Sequence, residues 1–322
     1  MASRTENDAP LRVLLHFDAS EALAQRLAPR WAGLDVRLCA ENDEARFAAL
    51  LPETDVLWHV LRPITARDMS QASNLKLIQK LGSGVNTIDL EHARTNGIAV
   101  SNMVGANAPA VAESALALIL ATLRRTVALD RATRAGRGWP IDTSLAESVG
   151  EIRGKTVGLL GHGVIAQVLE RPLVALGARV LHHTRSGDAS NPDWRPLDEL
   201  LGESDIGSLH LPLTDGTTNL LDARRLALLR PGAIVVNTAR GGIIDEHALA
   251  AALVAGRLGG AGLDTFEDEP IGTDNPLLDL DSVVLSPHVA WLTAETMERC
   301  VDLAAANCHR LAAGAPLANL II

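Results

Sequence analysis

Three short motifs in the second half of the chain carry the side chains best suited to chemistry: Asn237-Thr238-Ala239-Arg240-Gly-Gly, Asp264-Thr-Phe-Glu-Asp-Glu269-Pro270 and Ser286-Pro-His288-Val-Ala-Trp291. Each closes or follows a short apolar run, Ala233–Asn237, Gly260–Asp264 and Val283–Leu285. A cation, a carboxylate and an imidazole therefore fall at the carboxyl ends of consecutive parallel strands, the edge where open α/β sheets bind ligands. An arginine there can hold an anion, and an imidazole near a carboxylate can move a proton at neutral pH. Taken singly, the arginine reads equally as a structural ion pair, the Glu-Pro as a plain loop and the histidine as a structural residue. Their occurrence together favours a catalytic reading.

A second constellation lies upstream, in Thr156-Val-Gly-Leu-Leu-Gly161-His162-Gly163-Val164-Ile165-Ala166. It reads as a strand, a glycine-rich turn and an amphipathic helix continued by Val168, Leu169, Leu173 and Leu176. Gly161 suits the tight turn, Gly163 the close approach of a pyrophosphate, and Ala166 the packing of helix on strand. The helix amides beginning at Val164 point a positive dipole end at the phosphates. About twenty residues on, where a carboxylate would hold the adenosine ribose of NAD(H), the chain reads Val180-Leu-His-His-Thr184-Arg185-Ser186. Thr184 removes the repulsion that an acid would exert on a 2′-phosphate, and Arg185 and Ser186 offer charge and hydrogen bonds. The expected cofactor is NADP(H), with NAD(H) as the alternative.

Composition narrows the field. There is no tyrosine, and 26 of the 29 positive charges are arginine, the lysines being Lys76, Lys80 and Lys155. Chemistry that depends on a tyrosine proton donor is excluded, and chemistry that depends on a motif lysine is starved of candidates. Ten histidines remain as acid/base groups. A net charge of −10 argues against nucleic acid or an anionic membrane as partner. Cys39, Cys300 and Cys308 show neither disulfide nor metal-ligand spacing and read as reduced thiols of a cytoplasmic protein. No metal is expected. The polar start, MASRTENDAP, lacks the core of a signal peptide, and the longest apolar stretch, Ala115 to Leu123, is too short to span a bilayer.

The elements that must position these groups follow from periodicity. At roughly 150 residues per domain, 322 residues predict two domains. Besides the strands above, strands are expected at Val13–Phe17, Val56–Val60, Leu75–Lys80, Ile98–Ser101, Thr156–Leu160, Arg179–His183 and Ile206–Leu209, alternating with helical segments. One long helix is expected over Val111–Arg134 and another over Ala294–Ala313. The fold class is α/β, with two Rossmann-like or flavodoxin-like parallel-sheet lobes and a cleft between them. Residues 1–101 with 293–322 form the substrate lobe, and 102–292 the dinucleotide lobe.

At these motifs the chain resembles the D-isomer-specific 2-hydroxyacid dehydrogenase family, which includes glyoxylate/hydroxypyruvate reductases and phosphoglycerate dehydrogenases. The resemblance runs from about Leu11 to Ala312 and includes Asn102…Gly105-Ala-Asn107…Val111-Ala-Glu113 besides the motifs above. It implies a catalytic set of Arg240, Glu269 and His288. Reduction of a 2-keto acid needs a hydride at C2, a proton for its oxygen and a cation for its carboxylate. His288 would give the proton, Glu269 would orient the imidazole and favour its charged form, and Arg240 would hold the carboxylate and polarise the carbonyl. Thr238 and Ala239 would border the cofactor, and Asp264 matches the family aspartate that contacts the nicotinamide carboxamide. Leu81-Gly82-Ser83-Gly84-Val85-Asn86 corresponds to the family's carboxylate-binding loop, with the amides of Ser83 and Gly84 as donors; Asn86 replaces the usual aspartate.

His59, Leu61 and Arg62 follow a strand and are candidates for substrate contact, and Trp291 for the pocket wall or for packing. His162 is expected to meet the pyrophosphate through its backbone, and His210 to support its loop. The resemblance also implies a homodimer through the dinucleotide lobe. The leading function is NAD(P)H-dependent reduction of a small 2-keto acid to the D-2-hydroxy acid. Alternatives are oxidation of the phosphoglycerate dehydrogenase type and a nucleotide-sensing, corepressor-like binding protein.

Overall fold

The computed structural model describes residues 9–139 and 145–322, so most of the polar N-terminal decapeptide lies outside the described residues. Two compact units emerge, 1–107 with 292–322, and 108–291. The first crossing falls six residues later than 101, because the segment after Ser101 is still tied to the first unit. Met103 N donates to Gly82 O at 2.9 Å, Asn102 Nδ2 to Ser83 O at 2.8 Å, and Arg299 Nε to Ala106 O at 2.8 Å.

The first unit is built on five parallel strands, β1 (Arg12–His16), β2 (Asp35–Cys39), β3 (Val56–His59), β4 (Leu77–Lys80) and β5 (Ala99–Ser101), in the order β2-β1-β3-β4-β5. β2 is missing from the sequence reading. It is an edge strand paired only with β1, and Asp35 and Arg37 interrupt its apolar residues. At the other edge the C-terminal tail covers β5, with Ile321 N donating to Val100 O at 2.8 Å, which removes an exposed edge. One face of the sheet, with Leu14, Leu57 and Ile78, packs under Phe47, Met69 and Ile88. The C-terminal helix, Ala294–Ala312, belongs to this unit, and its Asn307 Nδ2 donates to Gln79 Oε1 at 2.7 Å.

The second unit holds six parallel strands: β6 (Thr156–Leu160), β7 (Arg179–His183), β8 (Ile206–Leu209), β9 (Ala233–Asn237), β10 (Leu258–Leu263) and β11 (Val283–Leu285). Their order is β7-β6-β8-β9-β10-β11. A further two-bond bridge sets Trp194 beside His182, with His182 N donating to Asp193 O and Arg195 N to His182 O, both at 2.9 Å. Counted as a vestigial strand, this bridge restores the 3-2-1-4-5-6 order of dinucleotide-binding sheets, with one strand added. The order reverses at β6 and β8, and a reversal leaves the crevice at the carboxyl ends where such folds take their ligand.

The long helix expected over 111–134 is two helices, Ala108–Leu123 and Thr126–Arg134. Arg125 between them takes a left-handed conformation, φ 50°, and no i→i−4 ladder runs through such a residue. The first of the pair buries Ala112, Ala115, Leu118, Ile119 and Leu123 in the core it shares with Val157, Leu159 and Val236. No helix among the described residues is long and apolar enough to cross a membrane.

Candidate active site

In the second unit β6 ends in the glycine turn. Gly161 has φ 94°, and a Cβ there would lie 2.5 Å from His210 O, so only glycine fits. Helix Val164–Ala175 begins at Gly163 with no side-chain cap, which leaves its first-turn amides available to an anion. A Cβ on Gly163 would meet nothing within 4 Å, so the backbone is open to close approach. Ala166 is fully buried where helix meets strand. Val164 is exposed and Ile165 half-buried beside the turn. Beyond β9 and β10, Thr238 Oγ1 and Thr265 Oγ1 are buried with no hydrogen-bond partner among the described residues, an arrangement that suits polar contacts from a bound dinucleotide. Thr265 is absent from the sequence reading, since a threonine after a strand carries no signal of its own.

The side chain of His162 is turned away from the helix amides. Its Nε2 lies 2.7 Å from Glu170 Oε2, and its ring stacks on His182 at 4.0 Å. Burial, with His162 next in effect, pushes the His210 pKa down to about 4, and His210 Nε2 bonds Ser208 Oγ at 2.9 Å. At the end of β7, Thr184 is half-buried, and Arg185 and Ser186 are exposed. Arg185 forms no ion pair among the described residues.

Arg240, Glu269 and His288 all lie in this unit, beyond β9, β10 and β11. Asn237 shapes the first turn, its Nδ2 donating to Arg240 O at 2.8 Å and its Oδ1 accepting from Ala239 N at 2.9 Å. A Cβ on Gly241 would lie 1.8 Å from the Phe266 carbonyl carbon. The Arg240-Gly241 backbone therefore abuts the loop that carries Glu269. Burial lowers the Arg240 pKa, with Glu269 opposing, yet a guanidinium stays charged. Glu269, preceding a cis Pro270, accepts from Phe266 N at 3.0 Å and sits 2.6 Å from His288 Nδ1. Burial alone would raise its pKa. The bonds from His288 and Phe266 N, with the charges of His288 and Arg240, bring it net below the ordinary value. Among the described residues His288 Nε2 has no partner, which leaves that atom for chemistry.

His288 itself is left-handed, φ 55°, a conformation that costs a non-glycine residue roughly 1 kcal/mol or more. Its loop holds it there. His288 N donates to Asp264 O at 2.8 Å, and Trp291 Nε1 donates to His288 O at 3.1 Å. The Asp264 carboxylate, almost wholly buried, accepts from Ser286 Oγ at 2.5 Å, Val289 N at 3.0 Å and Ala290 N at 2.9 Å. Both oxygens of Asp264 thus brace the His288 loop, and Trp291, also buried, braces it through its indole N–H. Glu246 does the same for the Glu269 loop, accepting from Glu267 N and Asn275 Nδ2, each at 2.6 Å. The sequence reading omits Glu246, because an acid in the first turn of a helix ordinarily answers the helix dipole.

In the first unit, loop 81–84 follows β4. Its carbonyls are engaged by Met103 N and Asn102 Nδ2, and Leu81 N donates to His59 O at 2.8 Å. The amides of Ser83 and Gly84 have no acceptor among the described residues. Carbonyls tied back and amides free is the polarity of an anion-binding loop. The neighbours considered for substrate contact are otherwise placed. His59 is fully buried, its Nε2 2.9 Å from Thr87 Oγ1, and burial with the adjacent Lys80 holds it well below the ordinary imidazole pKa. Arg62 is paired with Glu44 at 2.7 Å and lies over the Phe47 ring. Leu61 is part-exposed.

Comparison with known proteins agrees with this geometry. Residues 116–290 match the family profile described as D-isomer specific 2-hydroxyacid dehydrogenase, NAD binding domain. The chain is 40% identical over 278 residues to a glyoxylate reductase of Aeropyrum pernix, covering 84% of this chain and 83% of that one. It is 39% identical over 271 residues to a hydroxypyruvate reductase of Thermotoga maritima, covering 80% and 84%. Among solved structures, the TT0316 protein of Thermus thermophilus superposes with a TM-score of 0.87 at 34% identity, over 97% of this chain and 100% of that one. The second unit is accordingly a nicotinamide-dinucleotide-binding domain. With the profile covering more than half of its length and both reductases matched across four fifths or more of theirs, the chain belongs to the D-isomer specific 2-hydroxyacid dehydrogenase family.

Proposed function

We propose that this protein reduces a small 2-keto acid, glyoxylate or hydroxypyruvate first among them, to the D-2-hydroxy acid with NADPH. The observation that carries the reading is the 2.6 Å contact between His288 Nδ1 and Glu269 Oε2, with no partner at Nε2 among the described residues, in the same unit as the half-buried Arg240. The glyoxylate and hydroxypyruvate reductase names of the two relatives support the substrate class.

When bound, the reduced nicotinamide supplies the hydride for C2; no metal is needed. Glu269 keeps the His288 proton on Nδ1, so that Nε2 presents the second, transferable proton of the imidazolium to the carbonyl oxygen. Arg240 polarises that carbonyl and holds the carboxylate from a site with little competing water. In the first unit, the free amides of Ser83 and Gly84 are assigned to a substrate carboxylate. Gly161, Gly163 and the first-turn amides of Val164 and Ile165 take the pyrophosphate, with Thr238, Ala239 and Thr265 beside the cofactor. His162 borders it through its backbone, its side chain being held by Glu170. Thr184, Arg185 and Ser186 receive the 2′-phosphate: Arg185 is exposed and forms no ion pair among the described residues, and Glu170, the one acid between Gln167 and Asp188, is engaged by His162.

The free, buried thiols of Cys39, Cys300 and Cys308 suit a reducing cytoplasm. Exposed Leu120 and Val127 on the second unit suit a homodimer. Initial rates on a panel of 2-keto acids with NADPH and NADH, and on 3-phosphoglycerate with the oxidised cofactors, test the function. Fast NADPH-dependent turnover of glyoxylate or hydroxypyruvate is expected. Absence of turnover on every keto acid would refute the enzyme reading, a preference for NADH the cofactor reading, and faster oxidation of 3-phosphoglycerate the substrate reading.

A further inference from the structure

The carboxyl edge of the first unit's sheet carries a row of basic side chains that the reduction scheme leaves unused. In the register of β1, β3 and β4, His16 pairs with His59 and His59 with Lys80, so the three project to one face. Two residues back along each strand stand Leu14, Leu57 and Ile78, members of the helix-covered core. The basic row therefore continues an apolar one inward. His16 and His59 are fully buried, and Lys80 is 6% exposed.

A buried ammonium persists only if the protein replaces its water. Lys80 Nζ donates to Val60 O and lies 3.4 Å from both His59 Nε2 and Thr87 Oγ1. Those partners bracket loop 81–84, since Val60 opens the neighbouring loop after β3 and Thr87 lies just beyond Asn86. The lysine stem runs beneath the same loop: a Cβ on Gly82 would meet Lys80 Cε at 3.5 Å. On its other side the loop is held through its carbonyls by residues 102 and 103.

We propose that Lys80 is a positioning residue for the substrate carboxylate: its buried ammonium, fastened to Val60 and Thr87, holds loop 81–84 with its free amides outward and sets a fixed positive charge behind them. This rests on the reading that Ser83 and Gly84 bind the carboxylate. A residue that merely supported the fold would not separate substrate affinity from turnover. A charge behind the loop changes affinity for anions and leaves the hydride step alone.

The experiment uses the full chain with hydroxypyruvate as substrate, oxalate as competitive anion and NADPH binding followed by fluorescence. Lys80→Gln keeps a donor and removes the charge, Thr87→Val removes one fastening point, and Ser83→Pro removes one loop amide. Lys80→Gln is expected to raise the hydroxypyruvate KM and the oxalate inhibition constant together by about tenfold, with kcat within about twofold and NADPH Kd unchanged. Thr87→Val should move the same two constants by a smaller factor. If Ser83→Pro raises KM and Lys80→Gln does not, the loop reading stands and the Lys80 proposal is overturned. If neither changes KM, the loop reading fails and takes the proposal with it. Should Lys80→Gln lower Tm and NADPH binding as well, Thr87→Val decides: a KM-only effect supports the proposal, and a silent variant overturns it.

Discussion

The sharpest test of the cofactor reading is Thr184→Asp. This substitution puts a carboxylate at the carboxyl end of β7, beside exposed Arg185, where the fold presents its ribose contact. A 2′-phosphate carries about −1.5 charge or more at pH 7. At about 5 Å and an effective dielectric of about 20, one unit charge repels another by roughly 3 kcal/mol. Solvent exposure and salt near 0.15 M cut the product of the two by about half, leaving about 2 kcal/mol, roughly a 30-fold weaker Kd for NADPH. NADH carries no such phosphate, and the new carboxylate can accept from its ribose hydroxyls, so its affinity should improve by about fivefold. Fluorescence titration of both cofactors, repeated at about 0.5 M salt, reads this directly. The NADPH penalty must shrink with salt while the NADH gain persists. An unchanged NADPH Kd, or equal losses for both cofactors, would refute the placement of the 2′-phosphate at Thr184–Ser186.

Two further outcomes follow from the second unit. Replacing His288 by Gln should lower kcat by about a thousandfold while NADPH Kd stays within about twofold, since general acid catalysis is lost and the glycine turn is untouched; near-normal turnover in stopped-flow assays would remove His288 from the chemistry. His210, with its pKa pushed from 6.5 to about 4 by burial, makes stability fall in acid. The unfolded chain takes up the proton first, so stability is complete above about pH 6.5 and is lost as pH drops toward 4, by about 2 kcal/mol at pH 5. Urea midpoints of wild type and His210→Gln between pH 7.5 and 5 should converge by that amount, and parallel curves would contradict it.

Much of the architecture was legible because parallel strands buried on both faces are written as unbroken apolar runs. Thr156–Leu160, Arg179–His183, Ile206–Leu209, Ala233–Asn237 and Val283–Leu285 have in the structure the bounds that periodicity assigns them. β2 escaped notice because an edge strand can carry Asp35 and Arg37 on its half-exposed residues. The vestigial strand at Trp194 escaped because two hydrogen bonds need no apolar run. The break at Arg125 was hidden because helical periodicity continues on either side of it, and a single left-handed residue leaves no trace in that pattern. At the site, residue types with few alternative uses stood out, such as an arginine, a glutamate and a histidine at successive strand ends. Among their supports Glu246 did not, while Asp264 and Trp291 stood out in other roles, beside the cofactor and as pocket wall or packing. Asp264, Glu246 and Trp291 act through loop backbone, and which amide a carboxylate accepts depends on how two loops meet, not on spacing along one.

The two units solve one problem in the same way. A group that is to react or to bind must be held firmly, yet the atom that does the work must not be consumed in holding it. His288 is fixed through its amide, its carbonyl and Nδ1, which between them offset a left-handed backbone and leave Nε2 untouched. Loop 81–84 is fixed through the carbonyls of Gly82 and Ser83, with the amides of Ser83 and Gly84 left over. In each case anchors come from a neighbouring loop at the same sheet edge, Asp264 and Glu269 in one unit, Asn102 and Met103 in the other, and Trp291 of its own loop adds the hold on the His288 carbonyl. A change in those anchors would disturb the geometry of the working atoms while leaving their chemical identity intact. Selection for a different 2-keto acid therefore has two separate handles, the residues that touch the substrate and the buried ones that aim them.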